Sequence, residues 1–384
     1  MADHSTIEWT DSTWQVVTGC SVVSPGCTNC YAMKLAGTRL RNHPSRAGLT
    51  RDTKAGPVWN GEVRFNEEWL TQPLQWRRPR MIFVAAHGDL FHESVPDEWL
   101  DKVFAVMALA PQHTFQVLTK RAARMRAYCS RLQERAIELA QRAVWLGIWD
   151  DPDAAARDAV TAFDAGPLPN VWLGVSAEDQ ARADERIPDL LATPAAVRWV
   201  SAEPLLGAIN FAAIGRFNRV GAPWVDALRG LVTRGGYLAR SPSECSFNVS
   251  TQASPPELPR IDWIVAGGES GRDARPMHPN WVRSIRDQCA AAGVAFHFKQ
   301  HGAWLDADQA TAQGHAPGPH MFDTEGRPTG RRWHFYDPDD RAGGAMILIG
   351  KKAAGRLLDG RTHDEWPARH LRKSDTSPHL AGET

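Results

Sequence analysis

The sequence predicts an α/β fold in which a partial parallel βα barrel carries insertions and a C-terminal extension. Short apolar runs recur along the chain between turn residues, and most are apolar on both faces, as in parallel strands covered by helices. Helical patterns follow several of these runs, and polar residues follow the point where each predicted strand ends. The chain has 384 residues, which is enough for one large barrel with a substantial core.

Seven apolar runs are the predicted barrel strands. They lie at 14–18, 81–86, 114–119, 171–176, 197–202, 261–267 and 295–299. Two helices are predicted from apolar residues at helical spacing, one after Pro96 and one after Pro279. Gly293 is the expected C-cap of the second helix, because glycine adopts the left-handed conformation that ends many helices.

The predicted domain organisation is a barrel over residues 1–301 and a C-terminal extension over residues 302–384. Stretches near 129–170 and 215–260 interrupt the βα pattern and are expected to be insertions on the barrel. The extension is rich in Gly, Pro, His and Asp, and its last ten or so residues are expected to be disordered. It contains a strand-like run at 345–349 and a basic helix candidate at 351–358.

Composition indicates a globular protein with no overall charge bias. Hydrophobic residues make up 43% and charged residues 23%, and 44 basic side chains balance 44 acidic ones. A nucleic-acid partner would therefore have to be held by a local basic patch. No apolar run approaches the roughly 20 residues of a membrane span, and residues 1–11 do not resemble a signal peptide. We expect a cytoplasmic protein that does not contact a membrane.

Three of the six cysteines crowd into eleven residues just after the first predicted strand. Cys20, Cys27 and Cys30 have the spacing CxxxxxxCxxC, whereas Cys129, Cys245 and Cys289 lie far apart. This distribution favours metal binding in a reducing compartment over a disulfide framework. Three thiolates with no obvious fourth suit a 4Fe-4S cluster that leaves one iron open to an exogenous ligand.

Zinc is the main alternative for these cysteines. A Cys3His site would need a fourth ligand such as His43 or His4, and would stabilise a non-catalytic module that binds nucleic acid or protein. A structural zinc is expected on a compact knuckle of its own, whereas this motif follows a barrel strand. A third hypothesis is an iron-sulfur redox sensor that does not cleave a cofactor.

Eight segments of the sequence carry a family resemblance. They are IEWTD (7–11), TGC…PGCTNCYA (18–32), DLFHE (89–93), FQVLTK (115–120), WLGVS (172–176), EPLLG (203–207), GGESG (267–271) and GKKAAGRLLDG (350–360). In these segments the chain resembles the phage-associated three-cysteine-motif family, which is of unknown function and is similar to radical S-adenosylmethionine enzymes. The resemblance covers most of the chain apart from the two insertions and the tail.

The resemblance implies a partial (βα)6-type barrel, a 4Fe-4S cluster on the three cysteines, and S-adenosylmethionine as the cofactor. Reductive cleavage of that cofactor would give a 5′-deoxyadenosyl radical. A reducing electron-transfer protein and a separately encoded partner protein are the implied partners. The phage association makes nucleic-acid modification or repair the candidate reaction on a substrate that the sequence does not name.

Two features depart from the wider superfamily that the resemblance implies. The first cysteine gap has six residues rather than three, which lengthens the loop. The Gly-Gly-Glu motif follows the sixth strand rather than the second, which ends in His-Gly-Asp. The candidate cofactor contacts, chosen with these departures in mind, are Asp89, Lys120, Ser176, Glu178, Gly267 and Gly268.

Each of these candidates has a chemical reason. Asp89 could accept a hydrogen bond from the methionyl amino group, and Lys120 or Arg121 could pair with the methionyl carboxylate. Ser176 and Glu178 resemble a Ser-x-Glu pattern that could reach the ribose or the methionyl carboxylate. The glycines would let the backbone approach the adenine. Glu203, Glu269 and Lys299 follow or end barrel strands and are the candidates for substrate binding or proton transfer, although such strand-end ions can also be structural pairs.

Overall fold

The computed structural model describes residues 5, 7–144, 151–215, 224–233, 259–315, 332–334 and 345–368. His4, Cys245 and the expected disordered tail lie outside these residues. The helices are α1 (Tyr31–Gly37), α2 (Gln72–Gln75), α3 (Asp97–Ala108), α4 (Ala122–Cys129), α5 (Ala136–Val144), α6 (Pro152–Asp164), α7 (Gln180–Ala192), α8 (Pro279–Ala292), α9 (Ala307–Ala312) and α10 (Lys351–Ala354).

The strands follow the same chain order. They are β1 (Ser12–Trp14), β2 (Val17–Thr18), β3 (Thr50–Thr53), β4 (Gly56–Trp59), β5 (Arg64–Phe65), β6 (Met81–Val84), β7 (Thr114–Thr119), β8 (Val171–Ser176), β9 (Val197–Ala202), β10 (Trp224–Asp226), β11 (Leu231–Thr233), β12 (Trp263–Gly267), β13 (Ala295–Gln300), β14 (Trp304–Asp306), β15 (Arg332–His334) and β16 (Ala345–Leu348).

One curled sheet of seven parallel strands organises the molecule. Its spatial order, β1-β6-β7-β8-β9-β12-β13, is also the chain order, so each new strand is added beside the one before it. The sheet curls into half a barrel with helices on its outside. The prediction of a partial parallel barrel is confirmed, with seven strands where the resemblance implied six. Six predicted runs match a barrel strand. The first run, 14–18, is only partly correct, because the barrel strand is Ser12–Trp14 and Val17–Thr18 pairs with β5 outside the barrel sheet.

The outer face of the sheet packs against the helices through the main hydrophobic core. Alternate strand residues such as Ile82, Val84 and Phe115 are buried there with apolar residues of α3 and α8. Both helices form where the apolar spacing predicted them, and Gly293 ends α8 at a φ of 64° in the left-handed region. Helix-covered strands are apolar on both faces, which explains the runs in the sequence.

The inner face of the barrel is filled by aromatic side chains near the N-terminal ends of the strands. Trp9, which precedes β1, packs edge-on against Phe83 and Trp199, with ring centroids 4.9 and 5.4 Å apart. Trp199 and Trp263 are also buried in this cluster. Because these rings close the N-terminal end of the barrel interior, open space remains only toward the C-terminal ends of the strands.

The regions predicted as insertions contain additional elements. Helices α5 and α6 lie between β7 and β8, pack against each other and contact α3. The antiparallel hairpin of β10 and β11 lies between β9 and β12. No helix among the described residues is long and apolar enough to cross a membrane.

The C-terminal extension begins with a small antiparallel sheet in the order β14-β16-β15 and then returns to the barrel. Residues 363–365 run antiparallel to the edge strand β13, where the Phe298 N–H donates to the His363 carbonyl at 2.9 Å. The Trp263 indole N–H donates to the Glu365 carbonyl at 2.9 Å, and Trp366 stacks on Trp263 at 5.1 Å. The extension therefore covers both the exposed edge and the aromatic core of the barrel.

We expect Trp366→Ala to lower the free energy of unfolding by about 2–3 kcal/mol, toward the small end of values for truncating a buried tryptophan. Trp366 is only partly buried, but its ring covers Trp263. Urea denaturation followed by circular dichroism measures the change. Leu357→Ala is the control, since Leu357 is 51% exposed and should lose less than about 0.5 kcal/mol. Equal effects of the two substitutions would contradict the assigned role of residues 363–366.

Candidate functional site

A cavity of about 780 Å³ opens at the C-terminal ends of the barrel strands. Its size lies in the range of small-molecule and cofactor sites. In parallel βα folds this end of the sheet gathers the loops that carry function. Among the predicted site residues, those that line the cavity are Cys20, Cys27, Cys30, Asp89, Lys120, Ser176, Glu203, Gly268, Glu269 and Lys299.

The cysteine loop, defined as residues 19–30, leaves the barrel directly after β2. Gly19 has a φ of 94°, and its backbone pairs with Gly88 in the loop that follows β6. A Cβ on Gly88 would lie 2.8 Å from the Val17 carbonyl oxygen, so only glycine allows the two loops to approach this closely. Cys27 ends a short 3-10 turn that begins at Pro25, and Cys30 caps α1.

Arg121 holds the start of the cysteine loop. Its side chain is 5% exposed, and its Nη1 lies 3.4 Å from the Cys20 sulfur and 3.2 Å from Asp89. Its Nη2 donates to the Ser21 hydroxyl at 2.5 Å. A guanidinium beside a sulfur atom favours the thiolate form that metals require.

Asp89 is saturated by contacts within the protein. One carboxylate oxygen accepts from the Thr119 hydroxyl at 2.6 Å and the Phe91 N–H at 3.0 Å. The other accepts from the Lys120 N–H at 3.1 Å and from Arg121 at 3.2 Å. A cofactor amino group would have to displace one of these four donors, so the geometry makes Asp89 a positioning residue.

Glu178 holds the middle of the cysteine loop. Its side chain is fully buried and accepts from the Gly26 N–H at 3.0 Å, from Lys120 at 3.3 Å and from Arg186 at 3.1 Å. Burial by itself would raise the pKa of Glu178, but Lys120, the Ser24 hydroxyl, Arg186 and the Gly26 N–H together lower this pKa to about 2. Glu178 is therefore a buried anion that fixes the backbone one residue before Cys27.

Glu269 holds the end of the cysteine loop. It accepts from the Asn29 side-chain amide at 2.9 Å and from Arg275 at 2.6 Å. Burial would raise the pKa of Glu269, whereas the hydrogen bonds from Arg275 and Asn29 lower it below the usual value. Asn29 precedes Cys30, so Glu269, predicted as a catalytic group, supports the metal motif in this structure.

Glu203 and Lys299 form an ion pair inside the cavity. Lys299 Nζ lies 2.9 Å from Glu203, and the side chains are 20% and 14% exposed. The same ammonium lies 5.8 Å from the Trp9 ring centroid. The two groups predicted for substrate binding or proton transfer are thus brought together, and both reach the cavity.

The two glycines of the Gly-Gly-Glu motif have a packing role. A Cβ on Gly268 would lie 2.0 Å from the His301 carbonyl oxygen, and one on Gly267 would lie 3.2 Å from Glu203. The end of β12 therefore approaches the loop after β13 too closely for any side chain. Gly267 does not line the cavity in the described structure, whereas Gly268 and Ser176 do.

The surroundings of the thiols decide how well they fit a metal group. Burial raises the pKa of Cys20 to about 12, with Asp89 adding to the rise and Arg121 opposing it. Burial also raises the pKa of Cys30, and N–H groups of Met33, Ala32 and the Trp59 side chain partly offset this rise. The N–H donors beside Cys30 and the cation beside Cys20 fit thiolate ligands of a cluster, because they stabilise negative charge on sulfur.

Within the described ranges, no three His, Cys, Asp or Glu side chains, the three cysteines included, are gathered closely enough to hold a metal ion, so this geometry favours neither a cluster nor zinc. His43, the described candidate for a fourth zinc ligand, has its Nδ1 2.7 Å from the Ser45 hydroxyl. Cys129 and Cys289 are buried in the hydrophobic core and do not line the cavity.

Sequence reasoning missed the residues that support the motif. Asn29 could have been identified from its position, because it lies inside the CxxC segment. Arg186 and Arg275 follow Glu178 and Glu269 by eight and six residues, but nothing in the local pattern indicates that they pair. No pattern in the sequence marks Arg46 as a site residue, although it is buried and lines the cavity.

The fold and the site define a class: a partial parallel βα barrel with a three-cysteine loop at the mouth of a cofactor-sized cavity. The chain belongs to the family described as protein of unknown function (DUF5131), whose family model matches residues 4–367. A search of curated proteins and a search of solved structures each found no match. The resemblance to the phage-associated three-cysteine-motif family stays a prediction.

We expect Glu178→Gln to destabilise the protein by about 3 kcal/mol near neutral pH, from the difference between a pKa of about 2 and the ordinary 4.5. Since the folded-state pKa is the lower one, this contribution is present above about pH 4.5 and is lost as the pH falls toward 2. Urea denaturation of both proteins across this range should show their stability difference shrinking with acidification.

The matched control for this prediction is Glu185→Gln, which removes the same charge from α7, the helix that begins two residues after Glu178. Glu185 is 62% exposed and lies 3.9 Å from Arg186, so its loss should cost less than about 0.5 kcal/mol. A stability difference between Glu178→Gln and the wild type that does not change with pH would show that Glu178 is not the buried anion described above.

Proposed function

We propose that this protein is a radical S-adenosylmethionine enzyme with a 4Fe-4S cluster on Cys20, Cys27 and Cys30. One observation carries the proposal: three thiols from a single loop line one large cavity at the C-terminal mouth of a partial parallel barrel. The chemistry that such a cluster supplies, when bound, is one-electron cleavage of S-adenosylmethionine to methionine and a 5′-deoxyadenosyl radical. The substrate class that the resemblance suggests is nucleic acid.

The cysteine loop contributes three ligands and leaves a coordination position open. A cluster with three protein thiolates has one iron available to an exogenous ligand. Arg121 beside Cys20 and the Trp59 indole beside Cys30 place hydrogen-bond donors at the sulfur atoms. Donors at the sulfurs tune the reduction potential of such clusters, and burial limits the access of water.

Lys120 is the best-placed residue for the cofactor carboxylate. Its ammonium lines the cavity, is 17% exposed and is held at 3.3 Å by Glu178, so its position is fixed and it keeps donors to spare. Ser176 supplies a second polar group to the same cavity. Asp89 and Glu178 act through Arg121, Lys120 and the loop backbone rather than by direct contact.

The ion pair of Glu203 and Lys299 is the proposed proton-transfer group. Both side chains reach the cavity, and a proton can pass between Lys299 Nζ and Glu203 Oε2 over their 2.9 Å separation. The Trp9 ring lies 5.8 Å from the Lys299 ammonium and supplies an apolar surface beside the pair. Glu269, in contrast, is proposed as a positioning residue for the cysteine loop.

Anaerobic reconstitution with iron and sulfide tests the proposal directly. We expect a brown protein with roughly four iron atoms per chain and absorption at about 400 nm, which forms 5′-deoxyadenosine from S-adenosylmethionine after reduction. Cys27→Ala should lose the colour, the iron and the activity. Cys289→Ala is the matched control and should keep all three, because Cys289 is buried in the core away from the site.

Two outcomes would overturn the proposal in favour of the alternatives. A colourless protein with stoichiometric zinc and no cofactor cleavage would support the zinc-stabilised binding module. A coloured protein that forms no 5′-deoxyadenosine after reduction would support the redox sensor.

A second comparison separates positioning from catalysis. Glu269→Gln removes the charge that holds Asn29 and Arg275, and we expect roughly 10- to 100-fold weaker retention of iron, as for other supports of metal ligands. Glu203→Gln is the matched variant inside the same cavity and should keep the wild-type iron content. Iron retention is measured by competition with a chelator, and a loss in Glu203→Gln equal to that in Glu269→Gln would refute the assigned roles.

A further inference from the structure

The cavity wall includes a buried cation that the proposed chemistry does not use. Residues of α1, of the loop that follows it, of β4 and of the segment before α2 line this part of the wall, among them Arg46, Trp59 and Trp69. Arg46 is 5% exposed. It lines the same cavity as the three cysteines.

The hydrogen bonds of Arg46 go to neutral groups. Its Nε and Nη2 donate to His87 Nδ1 at 3.3 and 3.0 Å, and its Nη1 donates to the hydroxyl and the carbonyl of Ser45. These contacts account for at most four of its five N–H groups. One N–H on Nη2 therefore remains available to a ligand.

No carboxylate among the described residues forms an ion pair with Arg46, in contrast to the other buried cations of the site. Arg121 is paired with Asp89, and Arg186 is paired with Glu178. Burial lowers the pKa of Arg46 to about 10, which still leaves it charged at neutral pH. A buried charge without a counterion is costly, and an anionic ligand would remove that cost.

His87 does not compete as a second cation. Burial, with Arg46 adding to the effect, lowers the pKa of His87 to about 4, so the ring is neutral and accepts the Arg46 hydrogen bonds. The ring of Tyr31 packs edge-on against His87 at 5.7 Å. Arg46 is thus held in place by neutral partners and keeps its full charge for a ligand.

We infer that Arg46 binds a phosphate ester of a nucleotide, and that Trp69, which is half-buried and lines the same cavity, provides an aromatic surface for its base. Arginine recognises phosphate through its planar fork, and aromatic rings stack on bases without regard to sequence. The inference rests on the proposed function only in naming this nucleotide as the substrate. Binding itself does not require the cluster.

The test therefore uses the full chain without iron. Each of the four deoxynucleoside 5′-monophosphates is titrated while tryptophan fluorescence is recorded, and the corresponding nucleosides and inorganic phosphate are titrated in parallel. We expect saturable quenching by at least one monophosphate, binding about tenfold weaker for its nucleoside, and competition by inorganic phosphate. Arg46→Gln should weaken monophosphate binding by about tenfold or more.

Arg41→Gln is the matched control, because it removes the same charge from the same loop. Arg41 is exposed, pairs with Asp52 at 2.7 Å and does not line the cavity, so this variant should bind the monophosphate like the wild type. Arg46→Lys keeps the charge but loses the fork, and should bind with intermediate affinity. If Arg46→Gln does not fold, Arg46→Lys replaces it in the binding measurement.

Three results would overturn the inference. They are no saturable binding of any monophosphate by the wild type, equal affinity for a monophosphate and its nucleoside, and equal monophosphate affinity in the wild type and the Arg46 variants. Because none of these measurements involves iron or cofactor cleavage, a failure here leaves the proposed radical chemistry separately testable.

Discussion

The site depends on one arrangement of charge: side chains from three different βα loops hold a single cysteine loop at the barrel mouth. Arg121 contacts its start, Glu178 accepts from the Gly26 N–H in its middle, and Glu269 accepts from Asn29 near its end. Each of these charges is buried and must be paired, since an unpaired buried charge is costly. The loop therefore has few alternatives to the conformation that gathers the three thiols along one cavity.

The barrel makes this arrangement possible by filling only half of its interior. Trp9, Trp199 and Trp263 pack together at the N-terminal ends of the strands, where the returning segment at 363–366 covers them from outside. The C-terminal half stays open and becomes the cavity. A stable aromatic core at one end thus supports a polar site at the other, as parallel barrels commonly do.

The hydrogen bonds and ion pairs that each charged side chain makes within the protein also distinguish supporting residues from those that can act on a ligand. The carboxylates of Asp89 and Glu178 already accept hydrogen bonds from neighbouring donors, so their role is to hold Arg121, Lys120 and the loop backbone. The pair of Glu203 and Lys299 is partly open to the cavity, and Arg46 is buried with no carboxylate partner in the described part of the chain. The side chains that can act on a ligand are those whose charge or hydrogen-bond donors are not fully paired within the protein.

Local patterns in the sequence predicted six of the seven barrel strands and the helices at Asp97–Ala108 and Pro279–Ala292, because periodicity is a local property. The first barrel strand was predicted too late in the chain, at 14–18 instead of Ser12–Trp14. The sequence could not show that Glu178 reaches Gly26 across 152 residues or that Glu269 reaches Asn29 across 240. Nor did any local pattern mark Arg46 or the return of the C-terminal segment to β13. These contacts are decided by which loops the curled sheet brings together, and that geometry exists only in the tertiary structure.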